Sequence, residues 1–186
     1  MMTAEVRTRW ICVGLFVAVG SGCQPMRQNG ADDTVVTQAA RDTVRGTISV
    51  VGSEPLTALV LSPVVTGAAP MALVGAHQVT LRGLSGLEVM VAGRRTGNMS
   101  AAIPRPGGGA EFEVDSFVVR AVDGVAATDG IVASEGGRFY LVTANGSRLR
   151  ADFLPVALRQ KIGARVFVAG ALDQTPASYG VIVARP

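Results

Sequence analysis

From residue 45 onward, apolar residues fall in short runs, mostly with a polar or small residue between them, and glycine, proline or Asn-Gly steps break the runs. That pattern predicts half-buried strands joined by turns. Residues 86 to 93 read G-L-E-V-M-V-A-G and residues 163 to 170 read G-A-R-V-F-V-A-G. The two valines lie two apart and point to one face of a strand, while the flanking glycines are turn or bulge positions. One half-buried strand is therefore expected twice. On its outward face Glu88 and Met90 correspond to Arg165 and Phe167. Outward Met90 and Phe167 need a cover: either a domain or partner contact, or a local loop or helix.

Around the second stretch, 130–134 is a short apolar run, Glu135-Gly136-Gly137 a turn, 138–144 a strand, Asn145-Gly146 a hairpin turn and 147–153 a return strand. Residues 154–162 carry Leu154, Leu158 and Ile162 at helical spacing before Gly163, which predicts a short helix with a glycine stop. The matched strand follows, then a turn over 173–178 and a last strand over 179–184. Around the first stretch the plan is strands at 45–51 and 57–61, a third at 71–74 or 78–81, and an interrupted helical turn near Leu81, Leu84 and Gly86. After the matched strand come a long loop over 94–110 and a closing strand over 112–122.

Three strands, a short helix and two strands is an order that resembles the OB-fold, a small five-stranded Greek-key barrel. The resemblance implies an all-β chain with a short helix per unit, arranged as two tandem OB-like barrels. Residues 43–122 would form the first domain, 123–129 a hinge and 130–186 the second.

The N-terminus has a different pattern. Arg7 and Arg9 precede an apolar run over residues 10–19, too short to span a bilayer and of the length of a signal-peptide core. Gly20-Ser21-Gly22 then leads directly into Cys23. This resembles the lipobox of bacterial lipoproteins, with Gly20 where that family prefers a Leu-like residue and Val19 one place early. The resemblance implies a signal peptide over 1–22, diacylglycerol on the Cys23 thiol, and membrane attachment through that lipid. An ordinary secretory signal or an uncleaved anchor are the alternatives. Gln24 is not the Asp that tends to retain such proteins at the inner membrane, so the implied location is the outer membrane, facing the periplasm. Residues 23–42 are polar and lack either hydrophobic period, as expected for a flexible tether.

Composition narrows the chemistry. Cys12 leaves with the leader and Cys23 carries lipid, so no disulfide, Cys-bound metal or Cys nucleophile is expected. Removing Glu5, Arg7 and Arg9 from 17 bases and 14 acids leaves 15 against 13, so overall charge points to no partner. The one histidine, His77, sits in a Gly-Ala-His-Gln loop and has no second histidine for a metal site or triad. With no nucleophile elbow, phosphate-binding or dinucleotide motif, the expectation is a protein that is not an enzyme and needs no cofactor.

Two charge features remain. Glu111, Glu113 and Asp115 are two apart and would share a strand face, a weak candidate for calcium that is otherwise a solvated row. Residues 111–135 hold six acids and one base, whereas 138–165 hold six bases and one acid. Arg138, Tyr140, Arg148, Arg150 and Arg165 are the candidates for a polyanion-binding face. An envelope polyanion or a protein is the partner expected there, and export argues against nucleic acid. If the leader reading fails, single-stranded nucleic acid on an OB-like face is the alternative. Opposite charges that simply pair with each other are the third possibility.

Overall fold

A computed structural model describes residues 41–96 and 110–184. These residues fall within one compact unit, Gln38–Pro186. The described residues are mostly β-strand, with two short helices. In order the elements are β1 (Asp42–Val51), β2 (Ala58–Pro63), β3 (Met71–Val74), α1 (Gln78–Arg82), β4 (Glu88–Thr96) and β5 (Glu111–Val122). The second series is β6 (Val125–Glu135), β7 (Arg138–Val142), β8 (Arg148–Arg150), α2 (Val156–Arg159), β9 (Arg165–Ala169) and β10 (Ser178–Val183). Among the described residues no helix is long and apolar enough to cross a membrane.

Strand pairing runs in a closed circuit through the first five strands. β1 pairs antiparallel with β2 and β4, β2 with β3, and β4 with β5, while β3 and β5 close the circuit in parallel through Ala72–Val74. The last five repeat four of those pairings, β6 with β7 and β9, β7 with β8, and β9 with β10. Among the described residues β8 pairs only with β7, so no fifth pairing closes this circuit. The two series are joined where Ala121 and Val122 of β5 pair with Ala126 and Val125 of β6.

The matched stretches make corresponding contacts. Gly86 donates to the Ile48 carbonyl and Gly163 to the Val132 carbonyl, each at 2.8 Å. Ile48 donates to Leu87 and Val132 to Ala164, each at 3.0 Å. Gly86 and Gly163 have φ of 90° and 86°, a left-handed conformation that glycine adopts without steric cost. The closing glycines differ: Gly170 is also left-handed, with φ 104°, whereas Gly93 lies inside β4 at a register shift, where a Cβ would collide with the Glu113 carbonyl.

The valines behave as the period of two requires, with Val89, Val91, Val166 and Val168 all buried. Val89 and Val91 belong to a core with Ile48, Leu61, Leu73 and Phe112, and Val166 and Val168 to a smaller one with Val132, Leu141, Leu154 and Leu158. β9 departs from the half-buried expectation. Its other face is buried too, because Phe167 and Ala169 pack into the larger core that β1–β5 build.

Several expected boundaries move. The third strand is Met71–Val74, and Gln78 begins α1, whose one buried residue is Leu81. Of the helical stripe predicted over 154–162, Leu154 and Leu158 are buried but Ile162 is 46% exposed. Helix α2 is only one turn long, and Lys161 and Ala164 already make turn hydrogen bonds to Leu158 and Lys161. The stretch 123–129, expected as a hinge, is an Asp123-Gly124 turn followed by the first five residues of β6. Cys23, the signal peptide expected over 1–22 and most of the tether expected over 23–42 lie outside the described residues.

Candidate functional site: a seam and a groove beside β5

Two register shifts in the β4–β5 pairing set the geometry. Ala92 pairs with Ser116 but Gly93 with Val114, and Glu88 pairs with Ala121 but Val89 with Val119. Asp115 and Arg120 are therefore extra residues on β5, and the shift at Asp115 changes which residues face the core. Phe112 and Val114 point inward before the first shift, Phe117 and Val119 after it, and Ala121 and Val122 are both buried beyond the second.

The phase change exposes polar backbone of β5 to a side chain from β6. Asp129, 7% exposed, accepts a hydrogen bond from the Val119 amide at 2.9 Å. Its two oxygens also accept from Arg165 Nε at 2.8 Å and Nη2 at 2.7 Å. The same Nη2 donates to the Phe117 carbonyl, and the guanidinium lies 4.4 Å from the Phe117 ring centroid. This forked geometry satisfies both carboxylate oxygens, which is the condition under which a buried charge pair is tolerated. His77, expected as a surface loop residue, completes the cluster: its Nε2 donates to the Asp115 carbonyl at 3.0 Å and its ring meets Phe117 edge-on at 5.5 Å.

A corresponding pair occurs in β1 and β4 with the charges exchanged. Arg45 faces Met90 in register as Asp129 faces Phe167, and Arg45 pairs with Glu88 as Asp129 pairs with Arg165. The first pair is solvated and the second is buried against β5. In the sequence the exchange shows as Arg45 against Asp129 and as the Glu-to-Arg change at the third position of the matched stretch.

The five polyanion candidates separate in the structure. Arg148 and Arg150 do flank Tyr140 on one face, since Tyr140 pairs with Arg150 and the Arg148 guanidinium lies 4.7 Å over the Tyr140 ring. Both carry carboxylate partners, Glu135 on Arg148 at 2.7 Å and Asp152 on Arg150 at 2.6 Å. Arg165 is held by Asp129, and Arg138 is exposed at the start of β7. The acidic row is likewise distributed. Arg94 binds Glu113 at 2.8 Å and holds its carboxyl below the usual range, chiefly through that hydrogen bond, while Arg41 pairs with Asp115 at 3.3 Å. Among the described residues no three acidic, histidine or cysteine side chains gather as a metal site.

Sequence reasoning singled out Met90 but missed the groove it lines. A cavity of 460 Å³ opens between β4–β5 and the β7–β8 hairpin, with Met90 and Val118 on one side, Leu149 and Asn145 on the other, and Thr128 and Asp129 between them. Met90 and Val118 are a cross-strand pair and present one apolar surface. Arg120, the extra residue of the second register shift, also lines the cavity. No protein-family model matches the chain, and neither the curated proteins nor the solved structures contain a match to it.

Proposed function

We propose that this protein is a lipid-anchored bacterial envelope protein whose tether carries two tandem OB-like barrels, the first closed and the second open, acting as a binding module and not as a catalyst. The observation that carries the reading is the run of Gly20-Ser21-Gly22 into Cys23 behind a short apolar segment and two arginines. The module part draws support from the recurring strand pairings and from the groove beside β5, which offers apolar surface and a cation but no nucleophile paired with a base. The reading of single-stranded nucleic acid on the β7–β8 face has weaker support, because Arg148, Arg150 and Arg165 each already face a carboxylate.

Mass spectrometry of the mature N-terminus from fractionated cells tests the proposal. The expected result is a chain beginning at diacylated Cys23 in the membrane fraction, and a Cys23→Ala variant that carries no lipid and is not cut before residue 23. A native chain that keeps Met1 in the soluble cytoplasm overturns it.

A further inference from the structure

The groove beside β5 holds one charge that the fold leaves unanswered. Arg120 is exposed and, among the described residues, has no ion-pair partner, unlike Arg148, Arg150 and Arg165. Alternation along β5 places Arg120 on the same outward face as Val118, and both line the cavity. Asp129, the one acid in the lining, already balances the Arg165 guanidinium and is bonded to it and to the Val119 amide, not to Arg120. The hairpin end is organised by its own bonds: Asn145 Oδ1 and the Ser147 carbonyl both lie within reach of the single Thr143 hydroxyl proton, and the Ser147 amide donates to Asn145 Oδ1 at 3.0 Å. The Asn145 amide group and the Ser147 hydroxyl are left to meet a polar head. Met90, Val118 and Leu149 offer the apolar remainder.

From this arrangement we infer that the groove binds an amphipathic monoanion, a carboxylate carried on an apolar body. Arg120 grips the head in the forked geometry a guanidinium offers a carboxylate, and the Met90–Val118 surface takes the body. A volume of 460 Å³ falls in the range of small-molecule sites, about 300–1,000 Å³. The inference rests on the binding-module reading and gives it a ligand class, but it does not depend on where the chain is anchored.

Calorimetric titration of the full chain with octanoate, 1-octanol and acetate tests it. Octanoate is expected to bind at least about tenfold more tightly than either octanol, which lacks the charge, or acetate, which lacks the body. Arg120→Gln should bring octanoate down to the level of octanol, Arg120→Lys should retain part of the difference, and Lys161→Gln, a charge loss outside the groove, should change nothing. Unfolding midpoints of the variants establish that each is folded. Equal binding of octanoate and octanol, binding unaffected by Arg120→Gln, or no octanoate binding at millimolar concentration overturns the inference. None of those results alters the mass of the mature N-terminus, so the two proposals fail separately.

Discussion

Replacing Arg165 with Met leaves the Asp129 carboxylate buried with only the Val119 amide as partner. Removing one member of a buried pair costs about 3–5 kcal/mol, and since the Arg165 side chain keeps some access to water the expected loss is about 3 kcal/mol in urea unfolding. The double variant Asp129→Leu with Arg165→Met should lose less than the sum of the single changes, because no lone charge remains. Glu113 is a solvated counterpart. Its carboxyl titrates below the ordinary value when paired with Arg94, so the pair contributes above the ordinary Glu range, near about pH 4.3, and its contribution fades as pH falls through the lowered value. Glu113→Gln should slightly narrow the difference in melting temperature between pH 7 and pH 2.5.

The β7–β8 hairpin depends on two neighbouring residues. Gly146 has φ 84°, and the Asn145 side chain bridges Thr143 and the Ser147 amide. Gly146→Ala places a Cβ in the left-handed region and should cost about 1 kcal/mol, and Asn145→Ala should cost a similar amount by removing the side-chain cap of the turn. Both shifts are readable as changes in the urea midpoint. The Asn-Gly step made this hairpin legible in the sequence, since a two-residue signal acts through local backbone alone. The β4–β5 pairing was not legible in the same way. Glu111, Glu113 and Asp115 read as one face, but the register shift at Asp115 arises where β5 must serve β4, β3 and β6, and no local preference encodes it.

Phe167 connects the two series of strands, being carried on β9 yet packed in the core of β1–β5. Phe167→Ala should cost about 3 kcal/mol or more and lower the stability of the whole folded region in one step. Both tyrosines, Tyr140 and Tyr179, lie in the later series, so tyrosine fluorescence follows that part while far-UV circular dichroism follows all strands. Coincident urea transitions by the two probes are expected for the native chain. Separate transitions would show that the Phe167 contact does not couple the series. Gly180 has the complementary role: a Cβ there would lie 2.6 Å from the Phe167 ring, so Gly180→Ala should displace the ring and destabilise the same contact.

The amino-acid sequence by itself determined the strand character of the chain, the inward set Val89, Val91, Val166 and Val168, the turns at Gly86, Gly163 and Asn145-Gly146, and a short helix before β9. These follow from periods of two and from φ preferences, which act over a few residues. Tertiary structure decided what each charge and each outward side chain meets. Whether Arg148 is a free cation depends on Glu135, thirteen residues away, and whether Phe167 is exposed depends on strands far from it in the chain. The same holds for Asp129 and Arg120, since one is buried against β5 and the other lines a groove that the β7–β8 hairpin completes. Such contacts are set by the packing of distant segments, which no local pattern of residues carries.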